Sequence, residues 1–313
     1  MPSKSFQKLA LSTLIATLLL IMVGGLVRVS GAGLGCPDWP RCWGCWLPPS
    51  GPEKIDGSLY DISQFNPTKM WIEYANRMVG VVIGFLILAT FLHSTRYFRS
   101  HPKLFWASLT AFVLVLFQAW LGGEVVKSGL RPGIITLHMV MAIVLLTLLL
   151  YIVHSSREKK APTGNNHNLQ IVAGTLFALT CFQVVLGTQV RETVDPYIKK
   201  VETPEAQPRS EWLKSAGWKD HVHRISSWAV LGVAVILYRR CRRQTTTDPI
   251  RRLGYWVLGL VLLQIILGIT LAYLALPPAS QVLHLVNASI LICAEVLLLL
   301  HCQRPKSIAV SFD

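Results

Sequence analysis

Eight apolar runs, each of about 20 residues, constrain this chain more than any other feature. They lie at approximately 8 to 29, 71 to 94, 104 to 126, 133 to 154, 168 to 190, 219 to 240, 252 to 275 and 280 to 302. At 1.5 Å per helical residue, about 20 residues cover a hydrocarbon core of roughly 30 Å. Inside lipid a helix satisfies every backbone polar group within one segment. The expected fold is therefore all-α and integral to the membrane, with eight transmembrane helices. A content of 52% hydrophobic and 15% charged residues agrees.

A net charge of +14 raises nucleic acid as a partner, but the distribution argues for topology instead. With both termini inside, the inner segments hold 16 Lys and Arg, among them Lys4, Lys8, Arg96, Arg99, Lys103, Arg157, Lys159, Lys160, the 239–252 cluster, Arg304 and Lys306. Only Glu158, Asp248 and Asp313 oppose them. The excess is cytoplasmic, and no nucleic-acid signal stands out. The first run follows Lys4 and Lys8 like a signal peptide, yet no small-x-small cleavage site follows it. "GAGLGC" has Gly33 where a lipoprotein signal wants Leu, so the first run is expected to stay as a helix.

The chain repeats itself. "MWIEYANRMVG" matches "WKDHVHRISSW", setting Glu73 on Asp220, Asn76 on His223 and Arg77 on Arg224 at an offset of 147. "FQAWLGG" matches "LQIILGI", setting Gln118 on Gln264, and "ITLHMVMA" matches "QVLHLVNA", setting His138 on His284, both at 146. "VGGLVRVSG" resembles "VLGTQVRET" and pairs Arg28 with Arg191 at 163. Each half has four spans, so both halves enter the membrane in the same orientation, related by a pseudo-twofold axis along its normal. The expected division is a first four-helix bundle over 1–160, with an outer loop at 30–70, and a second over 161–313. Asn76, His138, His223 and His284 all fall in the first turns of their spans on the outer side.

Ionisable groups inside a membrane are costly, and they mark function or pair within the bundle. His223 and His284, at one depth on two even-numbered helices, suit the axial positions of a haem iron. The alternatives are hydrogen bonds across the bundle, another metal, or a proton path. In the first half only His138 offers an imidazole, because the carboxamide of Asn76 is a poor iron ligand. Glu73, one turn before Asn76, is a candidate for proton handling or for pairing with Arg77 or Arg28. Arg28, Arg77, Arg191 and Arg224 are candidate contacts for haem propionates, or interfacial anchors.

In the outer loop "SGAGLGCPDWPRCWGCWLPP", glycines and prolines exclude a regular helix. Cys36 and Cys42 are candidates for a disulfide or a redox dithiol, with Cys45 a rival partner and no histidine nearby to favour zinc. Gln118, Gln183 and Gln264 each stand three residues before Leu-Gly and read as helix-packing residues, and Glu295 as a paired bundle residue. His93, His101, His154, His167, His221 and His301 read as surface residues.

"GGLVRVSGAGLGCPDWPRC", "WIEYANRMVG", "LGGEVVKSGL", "TLHMVMA", "HVHRISSW" and "VLHLVNA" together resemble the haem A synthase family over nearly the whole chain. The resemblance implies oxidation of the C8 methyl of haem O to a formyl through a hydroxymethyl intermediate, for cytochrome c oxidase assembly. It implies haem B in the second bundle, held by His223 and His284, and substrate haem O in the first, with His138 a ligand and Glu73 the family's carboxylate. Cys36 and Cys42 match the family's first outer-loop pair. The implied partners are haem O, haem O synthase, an electron acceptor that the sequence does not name, and the lipid bilayer of a bacterial cytoplasmic membrane. Where the family has Glu-x-x-His-Arg, this chain has Glu73-Tyr-Ala-Asn76-Arg77, and the loop between helices five and six has no cysteine pair. The competing classes are a noncatalytic haem B electron-transfer protein and a haem transporter or assembly factor.

Overall fold

The computed structural model describes residues 2–157, 167–199, 209–244 and 248–302. Eight long helices follow in order: α1 Lys4–Val29, α2 Pro67–Ser94, α3 Pro102–Lys127, α4 Pro132–Ser155, α5 His167–Lys199, α6 Trp218–Gln244, α7 Asp248–Tyr273 and α8 Pro278–Cys302. All eight are long and apolar enough to cross a membrane, and no strand occurs among the described residues. The all-α, eight-span expectation is met.

Local chemistry explains the starts. Ser3 Oγ accepts the Phe6 amide at the head of α1, and Asn66 caps α2 through the Lys69 amide. Proline is the first residue of α2, α3, α4 and α8, where its missing N–H costs nothing. Helix α5 runs well past the apolar run that ends near residue 190. Its polar continuation is held because Arg191, Glu192 and Asp195 find partners on neighbouring helices in Met139, Thr136 and Arg28.

Helices pack on their neighbours both within and between the two halves of the chain. Helix α1 packs on α2 and α4, α2 on α3 and α3 on α4; α5 packs on α6 and α8, α6 on α7 and α7 on α8. Between the sets, α8 packs on α1 and α4, and α4 touches α5. One buried apolar cluster gathers Phe6, Ile87, Leu104, Leu146 and Ile152, and a separate one gathers Leu169, Leu176, Leu237, Val257 and Leu298. Large apolar side chains such as Phe85, Ile225, Trp256 and Ile266 point outward, as lipid-facing positions require.

Several histidines expected at the surface are not surface residues. His93 sits edge-on to Phe6 at 5.4 Å and stacks on Tyr97, and His154 meets His301 at 4.9 Å between ring centres. Aromatic packing offsets the exposure that their charge suggested. His167 and His221 are exposed. Glu158, Lys159, Lys160, Arg304, Lys306 and Asp313, together with the expected boundary at 160, lie outside the described residues.

Candidate functional site

The loop between α1 and α2 folds back onto the helix ends. Cys36 and Cys42 form a disulfide, both wholly buried, and Cys45 is free. Cys45 and Cys42 exchange backbone hydrogen bonds at 2.8 and 3.2 Å. Asp38 organises the turn, accepting from the amides of Trp43 and Gly44 and from the Tyr60 hydroxyl. Burial, followed by the charge of Asp38, pushes the Tyr60 hydroxyl above its ordinary value, so it stays a donor. Trp43 Nε1 donates to the Gly35 carbonyl at 2.8 Å. A Cβ on Gly35 would fall 2.3 Å from the Lys69 carbonyl oxygen, so only glycine lets the loop approach α2 this closely.

Glu73 lies beneath this loop, 3% exposed. Its Oε2 accepts the Cys36 amide at 2.9 Å and its Oε1 accepts from Arg77 at 2.5 Å. The partner is thus Arg77, not Arg28. The same guanidinium donates to the carbonyls of Cys36, Asp38 and Arg41. Arg77 is committed to clamping the loop. Its repeat mate Arg224 pairs with Asp220 at 2.5 Å and keeps 40% of its side chain exposed.

Arg28 and Arg191, also repeat mates, converge on one carboxylate. Arg28 donates to Asp195 at 2.8 Å and to Gln281 of α8 at 2.7 Å, and Arg191 reaches Asp195 at 3.4 Å. Glu192 accepts from Thr136 of α4. These bonds tie α1, α4, α5 and α8 together at the end of the molecule that carries the loop.

Below them the repeat shows its internal logic. The side-chain amide of Gln118 donates to the backbone carbonyl of His138, that of Gln183 to His223 and that of Gln264 to His284, each at 3.1 Å. A turn later on the donor helix stands a glycine against the imidazole. Cβ atoms on Gly122, Gly187 and Gly268 would lie 3.5, 3.3 and 3.6 Å from Cε1 of His138, His223 and His284. Each histidine is therefore seated by a glutamine strap and a glycine notch on the preceding helix. Nδ1 of His138, His223 and His284 is buried with no hydrogen-bond partner, and so is Oδ1 of Asn76. Leaving a buried polar atom unpaired costs about 1–3 kcal/mol, so four at matching positions point to a partner that the protein does not supply.

The fourth unit departs throughout. At the 163 offset, Leu20 of α1 stands where α5 has Gln183, and Gly24 stands where it has Gly187. A Cβ on Gly24 would have nothing within 4 Å. Helix α8 adds a brace to α7. Asn287 Nδ2 donates to Gln264 Oε1 at 2.6 Å and to the Leu260 carbonyl at 3.0 Å, whereas Oε1 of Gln118 and of Gln183 is unpaired.

Of the candidates, Glu73, Arg77, Cys36 and Cys42 form one cluster, His138, His223 and His284 occupy equivalent seats, and Arg28 and Arg191 share Asp195. The strap role of the glutamines, the brace of Asn287 and the polar contacts of Asp195, Gln281 and Thr136 escaped sequence reasoning. The repeated Gln-x-x-Leu-Gly was their one visible signal. Glu295 accepts from Thr180 at 2.8 Å, with its other oxygen unpaired. No group of three or more His, Cys, Asp or Glu suited to a metal ion occurs among the described residues. Seated single histidines do not form such a cluster.

Fold and site define a polytopic membrane protein with regularly repeated intramembrane histidines. The COX15-CtaA family model, of cytochrome oxidase assembly proteins, matches residues 7–296, and the chain belongs to that family. It is 27% identical to the haem A synthase of Shewanella oneidensis over 91% of this chain and 92% of that protein. Similar coverage holds for the haem A synthases of Bacillus licheniformis, at 25% identity over 96% and 98%, and of Wolbachia pipientis wMel, at 24% over 93% and 90%.

Proposed function

We propose that this protein is a haem A synthase, an oxidoreductase that converts the C8 methyl of haem O to a formyl for cytochrome oxidase assembly. Family membership supports the activity. The observation that supports the sites is the set of three unpaired imidazole nitrogens at equivalent seats, with Asn76 Oδ1 unpaired at the aligned fourth position. In balanced form the methyl and one water give the formyl, four protons and four electrons, in two two-electron steps through the hydroxymethyl.

Residues 1–160 form the substrate half in this reading, with His138 on haem O, and residues 161–313 the cofactor half. His223 and His284 fit haem B: each imidazole carries an unpaired nitrogen, and straps and notches fix the rings. When bound, haem B supplies one-electron acceptance. Glu73 takes protons released at the methyl, held in place by Arg77 and the Cys36 amide. Arg224, paired with Asp220 but with 40% of its side chain exposed, is the best-placed propionate contact, and Arg28 and Arg191 present a second cationic pair around Asp195. Arg77 serves the loop first. Haem O synthase is the donor of substrate, and the setting is a bacterial cytoplasmic membrane with both termini inside.

The test is complementation of a host that makes haem O and lacks its own haem A synthase. Haem A appears with this chain; its absence, with the protein present in the membrane, sinks the proposal.

A further inference from the structure

The ends of α6 and α7 that meet around residues 239–252 concentrate positive charge. That stretch has six arginines and one acid, Asp248. The α2–α3 corner, its counterpart in the repeat, has three cations in Arg96, Arg99 and Lys103. Arg242 stands 19 residues beyond His223, about 28 Å along α6, so the cluster is remote from the histidine seats. Helix packing sets the two groups of arginines side by side. Gly254 of α7 makes room for Cys241 of α6: a Cβ there would fall 2.9 Å from Cys241 Sγ. Beside this contact the rings of Tyr238 and Tyr255 meet edge-on at 5.1 Å. The guanidinium of Arg242 lies 5.9 Å from the centre of the Tyr238 ring. Arg239, Arg242, Arg243 and Arg252 are all exposed.

Next to the arginines, Tyr255 and Trp256 are 50% and 67% exposed near the start of a span long and apolar enough to cross a membrane. Aromatic residues so placed belong to the belt at a lipid–water boundary. We propose that this surface binds the headgroup of an anionic phospholipid, with Arg242, Arg243 and Arg252 on phosphate and Trp256 against the upper acyl chains. A guanidinium matches phosphate oxygens with two parallel N–H bonds. Arginines on two helix ends joined by a close contact suit a headgroup with two phosphates better than one. Exposed arginines alone would fit any polyanion. The exposed aromatic residues at the same end make the surface amphipathic, and a charged head on an apolar tail is the chemistry of a lipid.

The experiment titrates purified full-length protein in detergent with diphosphatidylglycerol or phosphatidylcholine and counts bound lipid by native mass spectrometry. Wild type binds the first about 10-fold more tightly than the second. Arg242→Gln with Arg252→Gln removes about 10-fold of that affinity, whereas Arg96→Gln with Arg99→Gln, which removes the same charge from the other corner, changes it by less than about twofold. All four positions are exposed, and an unchanged melting temperature in phosphatidylcholine shows that each variant has folded. Equal affinity for the two lipids overturns the proposal and leaves an acidic protein surface as the partner. Equal losses in the two double variants overturn it as well, because the binding would then follow bulk charge. Displacement of the lipid by millimolar inorganic phosphate would show a site for the free anion and contradict a lipid site.

Discussion

The Glu73 carboxylate accepts the backbone amide of Cys36 at 2.9 Å, joining an intramembrane acid to the first cysteine of the loop disulfide. Arg77 completes the clamp by bonding both Glu73 and the Cys36 carbonyl. Glu73→Gln keeps an acceptor for the amide but no longer takes a proton. Haem A formation falls by about 100-fold or more, the range of a lost general base, while Cys36 and Cys42 stay oxidised. Product chromatography and thiol trapping on the same sample read both.

His223 and His284 sit in matching seats on α6 and α8. His284→Ala or His223→Ala removes the six-coordinate low-spin spectrum, whereas His138→Ala leaves it. An unchanged spectrum in His284→Ala would refute the ligand assignment.

Asn287 fixes the amide of Gln264, which in turn holds the His284 carbonyl. Asn287→Leu leaves Gln264 Oε1 without its donor, at a cost of about 1–3 kcal/mol. Adding Gln264→Leu costs less than the sum of the two single changes, because both remove one network. Thermal unfolding of the purified protein gives the cycle, and strict additivity would break the link.

Asp195 stands between two guanidiniums, with Arg28 and Arg191 18% and 21% exposed at the side chain. Asp195→Ala leaves like charges facing each other. Partial solvent access lowers the cost below that of a fully buried pair, to roughly 2 kcal/mol. The melting temperature drops, and Arg28→Gln added to Asp195→Ala recovers part of the loss. A neutral Asp195→Ala would show that the cluster does not hold the halves together.

The eight spans were legible because lipid demands unbroken apolar length, and the repeat because its offsets are nearly constant. The seats of His138, His223 and His284 were legible as positions but not as geometry. That Gln118, Gln183 and Gln264 reach backbone carbonyls depends on which neighbour each helix faces, and a backbone acceptor leaves no mark in the sequence. Arg77 was legible as a charge near the boundary. Its use on three loop carbonyls follows from the fold of a glycine- and proline-rich segment with no periodicity to read. Likewise, Arg28 and Arg191 were found by the repeat, but Asp195 lies beyond the apolar part of α5 and its mate is Ala32, so no symmetry pointed to it.

The most direct measurement is the identity of the haems extracted from the purified protein after expression beside a haem O source, by chromatography and mass spectrometry. Haem A or its hydroxymethyl precursor, together with haem B, is the predicted result: an active synthase that works with Asn76 in place of a fourth histidine. Haem B alone, with haem O demonstrably available, would contradict it and leave an electron-transfer protein whose first bundle performs no oxidation.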